Sequence, residues 1–317
     1  MILSSKLSLS PGTLITGRFK GSRYVIQRLL GQGANGVVYL VNKVDSGKQY
    51  ALKMGFDNID IQSEINNLKA LHKQGKGPAT AVTRSAESLP YLLEVDDYIA
   101  QEGTTPFYVM RYIKGDALRA FLVHRGPKWM RVAGYSLLRK LQQLHAAGWV
   151  FGDLKPENII VSPYGEVELI DYGGVSAIGR SVKQYTEWYD RGFWNSGSRV
   201  AESSYDWFSF AVITLHMLAE PSLKKMAEQL PQTRSTADLI SIIDSESELQ
   251  PYKTWLVKAL HGDFKSTNEA CQLWKDQILL TSVKTRRKER NTPRWMLGAF
   301  VASLVFLLGA VYVSLSF

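Results

Sequence analysis

The stretch Val150-Phe151-Gly152-Asp153-Leu154-Lys155-Pro156-Glu157-Asn158-Ile159-Ile160-Val161 constrains this chain more than any other part of it. An acid, a base and an amide fall within six residues, and Pro156 stiffens a turn between a helical stretch and a short apolar strand. Packing explains such a loop poorly, because polar groups taken out of water must be paired. Chemistry explains it well: Asp153 can orient a hydroxyl and take its proton, Lys155 can neutralise an anion, and Asn158 can ligate a metal ion.

Thirteen residues further on, Leu169-Ile170-Asp171-Tyr172-Gly173-Gly174 ends an apolar strand on an acid. Alone this reads as a turn; beside the first motif it reads as the main ligand of a magnesium ion. Near the N-terminus, Gly31-Gln32-Gly33-Ala34-Asn35-Gly36-Val37-Val38 carries G-x-G-x-x-G between two strands, with no helix starting after it. That context fits a hairpin lid over phosphates and not a dinucleotide-binding strand-to-helix turn. Lys53, in the next strand, can reach phosphate oxygens, and Glu64 on the following helix can hold it in place. Asp57 and Asp60 suit the N-cap of that helix.

Strands are predicted at Tyr24–Leu30, Val37–Asn42, Gln49–Met54, Tyr91–Val95 and Phe107–Ile113, interrupted by a helix over Ile59–Lys73 whose Ile61, Ile65, Leu68 and Leu71 recur at helical spacing. After Gly115, helices are predicted at Ala117–Leu122, Trp129–Ala147, Trp207–Ala219 and Pro251–Leu260. Strands first and helices later make an α+β chain in two lobes, hinged near Arg111–Gly115. The domains expected are an N-terminal segment 1–23, a domain 24–280 with lobes 24–113 and 114–280, a linker 281–294 and a terminal helix 295–317. Cys271 is the lone cysteine among 317 residues, which excludes an intrachain disulfide and fits a reducing compartment; in an apolar stretch it reads as a buried structural thiol. The first twelve residues lack the apolar run of a secretory signal.

Trp295–Phe317 is 23 residues without a charge, roughly 34 Å as a helix, enough to cross a hydrocarbon core. Before it stand Lys284, Arg286, Arg287, Lys288, Arg290 and Arg294 against Glu289 alone, which is +5 of the overall +9. Positive residues stay on the cytoplasmic side, so the two lobes are expected in the cytosol, at the cell membrane, with no domain beyond Phe317. The basic run suits anionic lipid headgroups; DNA is the alternative ligand, with no interleaved aromatics to stack on bases. Gly298 and Ala302 form a small-xxx-small pair that would let two copies pack as a homodimer.

Taken together, these motifs resemble the eukaryotic-like (Hanks-type) serine/threonine protein kinases over residues 24–280. The whole layout is similar to the small C-terminally membrane-anchored kinases of spore-forming bacilli, one type of which has been linked to DNA. The resemblance implies a bilobal kinase fold and transfer of the γ-phosphate of ATP, with Mg2+ (or Mn2+), to Ser/Thr hydroxyls of proteins. It implies that Gly31, Gly33 and Gly36 cover the phosphates and that Val38 and Ala51 join the nucleotide site. Lys53 would hold the α- and β-phosphates and pair with Glu64. Met110 would back the adenine, Arg111 and Ile113 would present hinge backbone groups, and Asp116 would meet the ribose. Asp153 would be the acid–base residue, Lys155 would steady the γ-phosphate, and Asn158 and Asp171 would hold the metal.

The chain also departs from the family. H-R-D is Phe151-Gly152-Asp153 here, so the arginine that receives an activation-loop phosphate in many kinases is missing. Activity independent of loop phosphorylation, at Ser176 and Ser181 for example, is the expectation. D-F-G is D-Y-G; A-P-E and its late arginine partner, sought around His261–Thr267, are both absent. Thr186 stands where the family bonds the catalytic acid, and Asp206 where it braces the catalytic loop. Three other readings compete: a kinase-like scaffold without activity, a small-molecule kinase, and a DNA-regulated membrane kinase. The complete set Lys53, Glu64, Asp153, Asn158 and Asp171 argues against the scaffold, and the Asp153–Asn158 loop argues for a protein acceptor.

Overall fold

The computed structural model describes residues 9–33, 35–74, 92–100, 103–183, 186–280 and 294–315. In the upper lobe, β1 (Leu14–Thr16), β2 (Arg23–Gly33), β3 (Gly36–Lys43), β4 (Gln49–Gly55), β5 (Leu92–Ala100) and β6 (Gly103–Arg111) form one antiparallel sheet, in the order β1-β2-β3-β4-β6-β5. Helix α1 (Asn58–Gln74) lies between β4 and β5 in sequence. Asp57 caps it, its Oδ1 accepting from the N–H of Ile59 and Asp60.

Period-two alternation divides the sheet's side chains. Tyr39, Val41, Leu52, Met54, Phe107 and Val109 pack with Ile15, Tyr24 and Ile26 into an apolar core on one face. Cross-strand partners Val38–Lys53–Tyr108 and Leu40–Ala51–Met110 therefore share the other face, toward α1 and the cleft. The sequence assigned no element to β1, yet Ile15 is fully buried against β2 in that core.

The lower lobe is helical. After β7 (Asp116–Ala117) come α2 (Leu118–Arg125) and α3 (Met130–Ala146), then β8 (Trp149–Val150), β9 (Ile159–Val161), β10 (Val167–Leu169) and β11 (Ser176–Ala177). Next are α4 (Ser203–Ala227), α5 (Thr236–Ser245), α6 (Lys253–His261) and α7 (Thr267–Trp274). Helix α4 bends where Ala219 leaves helical dihedrals, just ahead of Pro221, whose ring cannot sit against the preceding turn. Its buried face meets Trp255 and Trp274, and Cys271 lies buried in the same core, its thiol pushed up to about 12 by burial, as expected of a structural cysteine.

The last described element, α8, spans Arg294–Leu315, on the segment expected to cross a membrane. Among the described residues no helix is long and apolar enough for a membrane span, and the side chains of residues 294–297, 309 and 313–314 lie outside them. The expected transmembrane helix is thus not found as such. What α8 does present is a run of exposed apolar side chains that includes Phe300, Leu304, Phe306 and Tyr312. Residues 281–293 of the expected linker 281–294, which hold most of the basic run, lie outside the described residues.

Candidate active site

The cleft between the lobes gathers the residues the sequence singled out. Lys53 comes from β4 and Glu64 from α1, and both are about 95 % buried. The Lys53 ammonium lies 2.8 Å from Glu64 Oε2 and 3.1 Å from Asp171 Oδ1. One cation thus joins helix α1 to the acid beyond β10. The hydroxyl of Tyr108, buried on β6, donates to Glu64 Oε1 at 2.7 Å. Burial raises the Glu64 carboxyl to about 7, against the pull of Lys53. For Asp171, burial opposes the charge, but the Lys53 ammonium outweighs it and holds the carboxyl below its usual range. Burial would pull Lys53 down, but Glu64 and Asp171 together raise it, so it stays charged.

Asp171 adopts φ 60°, uncommon for a residue with a side chain, and its Oδ1 accepts from Gly173 N–H. The following Tyr172 packs edge-on against Phe151 with ring centroids 5.6 Å apart. Gly174 has no room for a methyl group, since a Cβ would stand 2.8 Å from the Cβ of Asp153.

Asp153 is 6 % exposed and its two oxygens are divided. Oδ2 takes the Lys155 ammonium at 2.6 Å, and Oδ1 accepts from the Thr186 hydroxyl at 2.9 Å, the bond expected of that threonine. Asn158 Nδ2 donates to the Asp153 carbonyl at 2.9 Å, and the Asn158 carbonyl accepts from Ile170 N–H, which ties the Asp153–Asn158 loop to the residue next to Asp171. Asp206, fully buried at the start of α4, accepts from the N–H of Phe151 at 2.7 Å and of Gly152 at 2.9 Å. This is the bracing role anticipated for it. Gly152 sits at φ 80°, and a Cβ there would lie 2.8 Å from the Gly174 carbonyl oxygen, so glycine suits this backbone where the family carries arginine.

In the hairpin β2–β3, Gly36 lies against β4, where a Cβ would meet the Met54 carbonyl at 2.3 Å; Gly31 and Gly33 face open space. Ala51 and Met110 are cross-strand partners on the cleft face beside Lys53. Arg111 ends β6 and lies 3.7 Å from Glu168 on β10. A cavity of about 570 Å3 beside Arg111 and Ile113 contains none of Lys53, Asp153 or Asp171. Asp116 is exposed and faces His124 at 3.6 Å.

Four features were not legible in advance. Tyr108 carried no assigned role in the sequence, since its partner Glu64 is 44 residues away. His145 is buried between Asp206 Oδ2 at 2.9 Å and the Thr267 hydroxyl at 2.6 Å, contacts that only the packing of α3 on α4 and α7 creates. Asn67 on α1 bonds the segment after Asp171. Finally, the missing A-P-E pair has a local replacement. Buried Asp190 binds Arg199 at 2.6 Å and the Tyr205 hydroxyl at 2.9 Å, and Arg191 binds Glu202 at 3.2 Å. Asp190, the buried acid there, is thus paired locally, without the late arginine.

Among the described residues no three His, Cys, Asp or Glu side chains cluster into a metal cage. Magnesium on a polyphosphate needs only one or two protein oxygens, and the carboxylate of Asp171 and the amide of Asn158 fit that demand.

Residues 24–292 match the family described as protein kinase domain. The chain is 39 % identical over 291 residues to the serine/threonine-protein kinase YabT of Bacillus subtilis (strain 168), covering 91 % of this chain and 80 % of that one. It is 31 % identical over 163 residues to the serine/threonine-protein kinase PknA of Mycobacterium tuberculosis, covering 49 % of this chain and 36 % of the relative. The solved structure of vaccinia related kinase 3 superposes with a TM-score of 0.61 at 18 % identity, over 89 % of this chain and 94 % of the other, which speaks for the bilobal fold.

Proposed function

The chain belongs to the protein kinase family and is a serine/threonine protein kinase; from that premise we propose that it works as a membrane-tethered enzyme, transferring the γ-phosphate of ATP to protein hydroxyls on the cytosolic side. The observation that carries the catalytic part is the Lys53–Glu64–Asp171 ion cluster, joined to the Asp153–Asn158 loop through the bond from the Ile170 N–H to the Asn158 carbonyl.

Each residue has a role its surroundings support. Glu64 keeps the Lys53 ammonium aimed into the cleft, where it would hold the α- and β-phosphates of ATP. Gly31 and Gly33 leave backbone free to close over those phosphates, and Val38, Ala51 and Met110 line the adenine side, with Arg111 and Ile113 at the hinge. Asp153 accepts the proton of the substrate hydroxyl; Thr186 orients its Oδ1, and Lys155, on Oδ2, is placed to meet the transferring phosphoryl charge. Asp171 and Asn158 would hold magnesium, which would supply neutralising charge to the phosphates.

The tether rests on the charge-free stretch 295–317 and on the exposed apolar side chains of α8, which water would not favour. The basic run ahead of it would suit anionic headgroups.

Labelled ATP with magnesium, wild type beside Asp153→Asn, tests the catalytic part: transfer to Ser and Thr in the wild type alone is expected, and equal labelling of both overturns it. For the tether, the full chain should remain in membranes after an alkaline wash, and a chain ending at residue 293 should not. Release of both refutes the anchor.

A further inference from the structure

Helix α1 carries Glu64, so whatever seats α1 on the lower lobe also sets the Lys53–Glu64–Asp171 cluster. Asn67 lies three residues after Glu64 on α1 and is 7 % exposed. Its Nδ2 donates to the Val175 carbonyl at 3.1 Å, and its Oδ1 accepts from the Lys183 ammonium at 3.2 Å. Lys183 also reaches the Ser63 hydroxyl at 3.5 Å, one turn earlier on the same helix. Val175 follows Asp171 by four residues, and Lys183 precedes Thr186, the donor to Asp153, by three. One amide thus spends both of its halves on the two segments that bear the catalytic groups. Packing alone would favour an aliphatic residue here, because asparagine is a weak helix former and a buried amide is tolerated only when its donor and acceptor are both used.

We propose that Asn67 and Lys183 are positioning residues, a clamp that holds α1, and with it Glu64, in the transfer-competent place without a phosphate on the loop. The surroundings agree. Gly152 offers no guanidinium to receive a loop phosphate, and Ser176 is buried with its hydroxyl bonded to the Gly174 carbonyl. In this chain the loop brings its own cation to the helix, where many kinases bring a phosphate to an arginine. The clamp therefore predicts an enzyme competent as synthesised.

The test uses the full-length chain in detergent, with two independent readouts. The first is labelled-phosphate transfer to dephosphorylated casein, with and without prior phosphatase treatment of the kinase. The second is backbone hydrogen exchange across residues 58–71, which needs no activity. Lys183→Ala removes one exposed side chain but leaves the Asn67 Oδ1 without its donor, so its melting temperature should fall by only a few degrees and the chain should stay folded. Its transfer rate should fall at least about tenfold, the lower end of the worth of one hydrogen bond to a charged group, and α1 should exchange faster. Asn67→Ala should lose more, and Asn67→Asp, which keeps the acceptor for Lys183, should recover part of the rate. Wild-type exchange of α1 in Lys183→Ala, or an Asn67→Ala rate that falls only as its folded fraction falls, overturns the proposal. So does loss of wild-type activity on phosphatase treatment. If the wild type transfers no label, the kinase reading fails on its own, and the exchange result still decides the clamp.

Discussion

Replacing Tyr108 by phenylalanine deletes one oxygen from a fully buried site, and the structure says what that oxygen does. Its O–H donates to Glu64 Oε1 at 2.7 Å, on the carboxylate that also holds Lys53. Burial already raises Glu64 to about 7. A hydrogen bond to a charged group is worth roughly 1.5–3 kcal/mol, and about 1.4 kcal/mol moves a pKa by one unit. Loss of this donor, with Lys53 still in place, should lift Glu64 by about one unit. The active form needs ionised Glu64, so the acid limb of kcat/KM should move from near 7 to near 8. At pH 7 the ionised fraction drops from about one half to about one tenth, a fivefold fall in kcat/KM, while at pH 9 the two enzymes should nearly coincide. A pH series of kcat/KM from pH 6 to 9, with circular dichroism at each point to confirm folding, reads this directly. Superimposable profiles, or an equal drop at every pH, would refute the claim that Tyr108 acts through the charge of Glu64.

Asp206→Ala strips the acceptor from three donors, Phe151 N–H, Gly152 N–H and His145, and should cost about 3–5 kcal/mol by urea unfolding. Gly152→Ala adds a Cβ at φ 80° beside the Gly174 carbonyl, and a loss of about 1–2 kcal/mol with a lower kcat is expected, since Asp153 is the next residue. Asp96 is buried; burial opposes its charge, but the N–H groups of Phe19, Lys20 and Asp97 outweigh it and depress its pKa below the ordinary 3.8. A depressed acid stabilises the fold above its unfolded pKa and loses that stabilisation as pH falls below it, so urea midpoints of the wild type should drop from pH 5 to pH 3 more steeply than those of Asp96→Asn.

Much of the site could be read ahead of the structure because phosphoryl transfer asks for particular groups at short chain separations. Asp153, Lys155 and Asn158 stand within six residues, and their loop geometry is largely local. Lys53 and Glu64 were paired correctly because the helix period put Glu64 on the same side as Ile61, Ile65 and Leu68. Element boundaries held to within a few residues for α1 and β2–β4. The clearest shortfall was the region after Tyr185, where the absent A-P-E motif left no template, and a compensating Asp190–Arg199 pair cannot be deduced from spacing.

The sequence by itself indicated the class of chemistry, through motifs that resemble those of the kinases, and the order of the lobes and the Lys53–Glu64 pair, through hydrophobic period. Only the tertiary structure decided how they are held. Tyr108 meets Glu64, His145 meets Asp206 and Asn67 meets Val175 and Lys183 through contacts 44 to 116 residues apart. Such partners are chosen by which faces of the sheet and helices close on one another, and every buried polar group among them must find whatever donor or acceptor that closure brings within reach.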